Sequence, residues 1–550
     1  MQSDNIARAL TEMARRQPGA TAIEAPLKRD RRGGMRYRRV TYRELDDDSE
    51  RLAAGFGCLG LGPGNRAAVL LRPGVDLFAV TFALFKAGIV PVLIDPGIGP
   101  RRMKGCLAEA APDVFIGVPE AVLARAVLGW APTARLLVSS ASVSFTGLVS
   151  LDDVRTAGEQ GARRAVTVRG HDTAAVLFTS GSTGAPKGAI YTHANFAAQV
   201  ELLRTTFGIE PGEVDLPTFP LFALFDPALG MTTILPQMDA TRPARVDPRE
   251  ILEPIRRFRV TNLFGSPALL DRVGRSEQAL GARLPSLRRV FSAGAPVPAP
   301  VMERFSRMLS PGAQIFTPYG ATEALPVAVI GSDEVLGETA ARTPLGAGTC
   351  VGRPVAGTRV EIIAISDEPI ASWSDSLRVP DGEIGEIVVG GSQVTSAYFG
   401  RDEATRLAKI RGESGETLHR MGDLGYRDDR GRLWFCGRKS QRVRTAAGTL
   451  FTEPCEGVFN AHPEVRRTAL VGARRRGEVV PVICVELASA TRGASRDRVR
   501  RELLALGAAH AVTQSIHEVL FVDTFPVDIR HNAKIFREEL ALEAERRLGR

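Results

Sequence analysis

Lysine is scarce in this 550-residue chain: of 71 basic residues only seven are lysines, at positions 28, 86, 104, 187, 409, 439 and 534, leaving 64 arginines. The arginines are spread along the sequence with short runs such as Arg474-Arg475-Arg476. The formal charge of +9 therefore reads as solvated faces or as a basic patch for phosphates or acidic partners, and no nucleic-acid surface is expected. The six cysteines (58, 106, 350, 436, 455, 484) include no Cys-x-x-Cys pair and no His/Cys metal spacing. They read as reduced, mostly buried thiols of a cytoplasmic protein. Long apolar runs are missing too. Stretches such as Leu77–Phe85 and Pro227–Met238 fall short of the roughly 20 residues that span a bilayer, so no transmembrane segment is expected. The first residues, MQSDNIARALTEMARRQPG, have no apolar core and no small-residue cleavage site, which excludes a signal peptide reading.

What is present is ordinary globular material. Hydrophobic residues make up 44% and charged residues 24%, which excludes intrinsic disorder and fibrous repeats. The length predicts three or four domain-sized pieces. Short β-rich runs alternate with helical patterns over most of the chain, as in Arg66–Leu71, Val75–Ala87 and Ile89–Ile94. That rhythm predicts an α/β fold with largely parallel sheets. Beyond a Gly-, Arg- and Lys-rich boundary at 431–449 a smaller cycle follows. Strands are expected at Thr468–Gly472, Val479–Leu487 and Ile516–Val522, and helices at Ser495–Ala509 and Lys534–Arg547.

The most informative segment is Ala174–Asn195, AAVLFTSGSTGAPKGAIYTHAN. A β run, Ala174–Phe178, precedes a loop rich in Gly, Ser and Thr. Phe196, Val200, Leu203 and Phe207 then mark a helical stripe. Strand, glycine-rich loop and helix is a geometry that turns backbone N–H groups toward a phosphate. The hydroxyls of Thr179, Ser180, Ser182 and Thr183 add donors and Mg²⁺ contacts, and Lys187 adds positive charge. A P-loop of the Gly-Lys-Ser/Thr type is excluded, because Pro186 precedes Lys187 and Gly188 follows it.

Further motifs follow in order: Phe291-Ser-Ala-Gly-Ala-Pro296, Pro318-Tyr-Gly-Ala-Thr-Glu323, the block Gly382–Tyr398, Met421-Gly-Asp423, Gly437-Arg438 and Pro526–Arg537. With TSGSTGAPKG they resemble the adenylate-forming enzymes: acyl-CoA synthetases, peptide-synthetase adenylation domains and luciferases. The resemblance runs from Val40 to Lys534. It implies a large N-terminal AMP-binding domain, 1–436, of layered α/β subdomains plus a β-rich subdomain. A hinge at 437–441 and a small mobile C-terminal α+β lid, 442–550, complete it. It implies ATP as co-substrate and Mg²⁺. Thr179, Ser180, Gly181, Ser182, Thr183, Gly184 and Lys187 would cradle phosphates, and Gly294, Ala295 and Pro296 would line the adenine pocket. Tyr319 would stack on adenine beside Gly320 and Ala321, Thr322 would meet the α-phosphate, and Glu323 with Thr179 would hold the metal. Asp423 would grip the ribose, Arg438 the ribose or phosphate, and Lys534 would neutralise charge during adenylation. Lys534, Glu323, Thr322 and Lys187 are the catalytic candidates.

The acyl acceptor is less constrained. Across the family it is CoA, a carrier thiol, an amine or a group of the substrate itself. Three positions depart from the common pattern: Ala223 where a histidine is frequent, Ser440 where the hinge usually has Asp or Lys, and Ala533 before Lys534. The blocks YGATEALP, GRKSQRVRTAAGTLFTEPCE and FPVDIRHNAKIF resemble most closely the β-lactone synthetases of bacterial long-chain olefin biosynthesis, the OleC type. That resemblance implies adenylation of a long-chain 2-alkyl-3-hydroxyalkanoic acid, closure of the β-lactone by its own 3-hydroxyl, and assembly with other enzymes of that pathway. A fatty acyl-CoA ligase is the alternative, and a non-catalytic nucleotide binder is a third reading of another class. Leu216–Met238 reads as acyl-pocket wall or as packed core, and Ile330–Gly348 as an elaborated loop beside the acyl site. His193 is a base by position alone, or a structural histidine at a helix start.

Overall fold

The computed structural model describes residues 4–31, 33–141, 147–161, 166–179, 185–488, 495–527 and 535–549. The apolar runs of the first third build a seven-stranded sheet. Its strand order is Leu148–Ser150, Leu136–Ser139, Val114–Gly117, Arg66–Leu70, Val90–Ile94, Thr173–Thr179 and Lys187–Thr192. All neighbours are parallel except the last pair. Side chains alternate between its faces. Val69 and Leu93 join a core with the helices Tyr42–Cys58 and Val75–Lys86, whereas Ala68, Val92 and Val176 join a second core with the helix Pro100–Ala110 and Trp130. Such two-sided burial is what continuous Val/Ile/Leu strands require.

Helix starts are legible in the local chemistry. Thr41 with Glu44, Ser150 with Asp153 and Thr192 with Asn195 each close a reciprocal cap on Tyr42–Cys58, Leu151–Gln160 and His193–Phe207. The first two helices cross where Gly55 faces Gly158. A Cβ on Gly55 would lie 1.9 Å from the Val154 carbonyl oxygen, and one on Gly158 1.9 Å from that of Arg51.

A second sheet runs parallel through Thr232–Ile234, Val214–Pro217, Asn262–Phe264, Arg289–Phe291 and Gln314–Ala321. It then turns antiparallel through Ala324–Gly331, Thr349–Pro354, Leu433–Arg438, Thr417–Arg427, Gly385–Gly390 and Arg359–Ile363. The large N-terminal domain thus carries a β-rich part, and a smaller C-terminal part follows. There Val465–Arg475, Glu478–Leu487 and Glu518–Phe521 form a three-stranded sheet, packed by the helices Thr452–Phe459, Arg496–Ala508 and Arg537–Leu548. The fold is α/β in its large part and α+β in its small one.

Two expectations need correction. The phosphate loop does not run directly into a helix. Lys187–Thr192 is first an edge strand, antiparallel to Thr173–Thr179, and the helix begins only at His193. From Ala189 on, buried Ala189 and Tyr191 alternate with half-buried Ile190 and Thr192, which suits a strand better than a helix. Nor does 331–348 contribute to the lining of the large cavity between the two sheets. It forms short helical turns against the C-terminal part, where a Cβ on Gly457 would stand 2.5 Å from the Thr343 carbonyl oxygen and one on Gly346 2.6 Å from Val512.

The glycine crossing generates a prediction. Alanine in a helix interior normally gains about 1 kcal/mol over glycine. Gly55→Ala and Gly158→Ala should instead each lose about 1–3 kcal/mol through overpacking. Urea denaturation reads this as a lower midpoint at unchanged slope, and a raised midpoint would refute the close crossing.

Candidate active site

The C-terminal ends of the first sheet's parallel strands and the facing ends of the second sheet enclose a cavity of about 1240 Å³. One end is polar, with Lys187, Thr322, Glu323, Arg438, Lys439 and Ser440. The rest is apolar, with Phe82, Phe85, Phe196, Phe219, Phe225 and Trp130 among its lining residues. Leu216–Met238 is both wall and core: Phe219, Leu221 and Phe222 line the cavity, while Leu216, Ala223 and Ile234 are buried beneath it.

The polar end is set by a seam between the two sheets. The edge strand Lys187–Thr192 bridges Tyr398 through Ala189, Ile190 N–H donates to the Ala397 carbonyl (3.1 Å), and Phe399 N–H donates to the Gly188 carbonyl (2.7 Å). Lys187 Nζ lies 5.1 Å from the centre of the Tyr398 ring, and the Tyr398 hydroxyl donates to Glu323 Oε1 at 2.6 Å. Tyr191 donates to the Thr322 carbonyl. Thr322 and Glu323 sit in the turn between Gln314–Ala321 and Ala324–Gly331, not at a helix start. Thr395 holds the Glu323 carbonyl with its N–H (2.9 Å) and hydroxyl (3.1 Å), and Lys409 Nζ donates to the Thr395 carbonyl and hydroxyl. Burial pushes the Lys409 amine down to about 7, with the Glu323 charge pulling the other way.

A second cluster adjoins this wall. The Tyr319 hydroxyl donates to Asp423 Oδ2 at 2.7 Å, and Arg438 Nη1 stands 2.8 Å from Asp423 Oδ1 without hydrogen-bond alignment. Burial raises the Asp423 carboxyl above its ordinary range against the pull of Arg438, and burial with the Asp423 charge raises the Tyr319 phenol. Met421-Gly-Asp423 is therefore a buried strand segment and not a surface turn. Next to it Glu386, fully buried, pairs with Arg420 at 2.6 Å and with Lys439 at 3.0 Å.

Of the residues singled out by sequence, Lys187, Gly294, Gly320, Ala321, Thr322, Glu323 and Arg438 line the cavity. Ala295, Pro296, Tyr319 and Asp423 are not among its lining residues. Thr179 ends the strand beside Lys187, and its side chain lies outside the described residues, as do Ser180, Gly181, Ser182, Thr183, Gly184 and Lys534. Sequence reasoning missed Tyr398, Lys409 and Gln199. Lys409 carried a usable signal as one of seven lysines, standing beside an apolar residue of a β-rich block. Gln199 carried none. It donates to the Leu325 carbonyl at 3.0 Å, and its Oε1 is buried without a hydrogen bond among the described residues.

His193 is structural. Its Nδ1 accepts the Ile6 N–H at 3.3 Å, its ring meets Phe85 edge-on, and it does not line the cavity. Burial holds its pKa down at about 4. The unfolded chain takes up this proton near pH 6.5 and the folded one near 4, so stability falls as pH drops through that window. The group should contribute a loss of about 3 kcal/mol between those limits. His193→Asn should flatten that part of a denaturation-versus-pH curve, and an unchanged slope would refute the assignment.

Comparison with known proteins agrees with this architecture. The family model described as AMP-binding enzyme matches residues 10–399. A protein of Xanthomonas campestris pv. campestris named olefin beta-lactone synthetase is 50% identical over 545 residues, covering 98% of this chain and 97% of its own. A protein of the same name from Stenotrophomonas maltophilia is 50% identical, covering 99% and 98%. Among solved structures, the amide bond synthetase McbA of Marinactinospora thermotolerans superposes with a TM-score of 0.79 at 24% identity, covering 99% of this chain and 100% of that one. The chain belongs to the AMP-binding enzyme family.

Proposed function

We propose that this enzyme activates a long-chain 2-alkyl-3-hydroxyalkanoic acid with ATP and closes it to a β-lactone. The observation that carries the reading is the single cavity, polar at the Lys187–Glu323 end and apolar beyond it, in a chain half identical to two olefin β-lactone synthetases. A carboxylate oxygen attacks the α-phosphorus of ATP and pyrophosphate leaves, giving the acyl-adenylate. The 3-hydroxyl oxygen then attacks the acyl carbon, the C–O bond to AMP breaks, and the hydroxyl proton is lost. Because the acceptor is tethered to the acid, effective molarity replaces a second substrate site.

The loop from Thr179 to Gly184 and Lys187 hold the phosphates, Thr322 meets the α-phosphate, and Asp423 and Arg438 serve the ribose. For the last role Tyr319 and Asp423 exchange their mutual hydrogen bond for contacts to the nucleoside, beside the backbone of Gly294, Ala295, Pro296, Gly320 and Ala321. Among the described residues no cluster of three or more His, Cys, Asp or Glu is placed to hold a metal. The Glu323 carboxylate, a hard oxygen donor on the cavity wall, fits Mg²⁺ bound jointly with nucleotide phosphates, and Thr179 adds a hydroxyl. When bound, Mg²⁺ supplies charge neutralisation at the phosphates. The lid, 442–550, turns at 437–441 and brings Lys534 to the developing charge. No described helix is long and apolar enough to cross a membrane. A cytoplasmic setting and assembly with other enzymes of the olefin pathway complete the reading.

Incubation with ATP, Mg²⁺ and a 2-alkyl-3-hydroxy acid should give β-lactone, AMP and pyrophosphate equally with and without CoA. A thioester formed only with CoA would make the protein a fatty acyl-CoA ligase. Lys534→Ala should slow adenylate formation by roughly 10²-fold or more, as removal of a charge-stabilising group does elsewhere. Glu323→Ala should raise the Mg²⁺ concentration needed for half-maximal rate, and an unchanged Mg²⁺ response would remove Glu323 from that role.

A further inference from the structure

The cavity wall draws on both faces of one sheet. Successive residues of a strand point to opposite faces, so Leu93 and Ile94 cannot line the same side, nor can Leu177 and Phe178, and Leu71, just past the strand that Leu70 ends, packs with the other core from Leu70. All six line the cavity. Leu71, Leu93 and Leu177 pack with the core that contains the helix Val75–Lys86, whereas Leu70, Ile94 and Phe178 pack with the core of Met103 and Trp130. The cavity therefore straddles the C-terminal edge of the sheet and extends along each of its faces.

On the first face its apolar wall is completed by Phe82, Phe85, Phe196, Leu221 and Phe225. On the second face it is completed by Met103, Ala121, Ala124 and Trp130, from the helices Pro100–Ala110 and Pro119–Leu128 and the turn after them. The two lobes meet at the strand ends, where Thr179 pairs with Lys187. The second lobe does not have the chemistry of a pyrophosphate exit. Its rim carries the carboxylates Asp95 and Glu120, and Arg72 is paired with Glu120 at 2.9 Å.

A 2-alkyl-3-hydroxy acid has the matching topology. Its two hydrocarbon chains leave adjacent carbons next to one carboxylate. We infer that the two lobes are separate subsites, one for each hydrocarbon chain, with the carboxylate and 3-hydroxyl held at the sheet edge between them. A single-chain acid would fill one lobe and leave the apolar surface of the other in water, without the burial that a second chain supplies. The sheet edge would then sort substrates by branching as well as by length. This inference rests on the proposed substrate class.

The test uses 2-alkyl-3-hydroxy acids in which the two chains are lengthened independently, with Leu221→Trp filling the first lobe and Ala124→Phe the second. AMP release measures acceptance of each acid, and lactone formation is scored separately. Thermal unfolding shows that each variant is folded, and AMP release with a short acid whose chains reach neither lobe, 2-methyl-3-hydroxybutanoate, reports that it remains active. A variant inactive on it is replaced by the smaller Leu221→Phe or Ala124→Leu. Each filled lobe should lower kcat/KM by roughly 10-fold or more for elongation of one chain only, and the two variants should affect different chains. Both variants acting on the same chain, or Ala124→Phe leaving both profiles unchanged, would overturn the two-lobe assignment. AMP release without lactone would instead refute the proposed reaction and leave the chain sorting standing.

Discussion

The antiparallel attachment of Lys187–Thr192 to the edge of the first sheet is the contact on which the site depends. This strand spends one edge on Thr173–Thr179 and the other on Ala397–Phe399, so it is the backbone hinge-line between the first sheet and the β-rich part. An edge strand with unpaired N–H and C=O groups would be a liability, and here the second partner satisfies it. That pairing fixes Lys187 beside Tyr398, Tyr398 on Glu323, and Thr395 under the Glu323 carbonyl. Gly188 is part of the same constraint: a Cβ there would lie 2.7 Å from Val176 Cγ1.

Charge is handled differently at the two ends of the molecule. Around the cavity it is buried and paired, as in Glu386 between Arg420 and Lys439. Such a cluster contributes little net stability but is costly to break, so a lid turning at 437–441 would have to keep or replace the contact of Lys439 with Glu386. In the C-terminal part Glu453 accepts the Thr349 hydroxyl at 2.9 Å, and burial beside Glu456 lifts its carboxyl to about 7. Arg537 pairs with Glu456 and reaches Gln441 at 3.2 Å, so the last helix is tied to the segment that joins the two parts.

Much of this was legible in the residues. Apolar runs located the parallel strands because burial on both faces leaves no polar alternative, and the C-terminal strands fell within a few residues of their observed limits. The motif order identified the family and picked out seven lining residues. What escaped did so for physical reasons. Gly188-Ala-Ile-Tyr is too short to distinguish a strand from the start of the following helix until its pairing partners are known. The excursion at 331–348 reads as a loop because its cover, Val512 and Gly457, is more than a hundred residues away. Tyr398 and Lys409 take their meaning from Glu323, again distant in sequence, and no local pattern encodes that meeting.

The lining of the cavity also bears on the fate of a reactive intermediate. In the proposed reaction the intermediate is a mixed acyl-phosphate anhydride, which acylates amines, thiolates and ionised hydroxyls, so ring closure would have to win a race against the wall that surrounds it. Among the described lining residues there is no cysteine, and the two lysines are Lys187 and Lys439. Lys439 Nζ is engaged by the Glu386 carboxylate at 3.0 Å and the Ser366 carbonyl at 2.7 Å. The Thr81 and Thr218 hydroxyls are spent on the Leu77 and Phe264 carbonyls, and burial raises the phenols of Tyr191 and Tyr398 far above neutrality. In the proposed reaction these engaged groups would compete poorly for the intermediate, so self-acylation would be limited by the wall as well as by the speed of cyclisation.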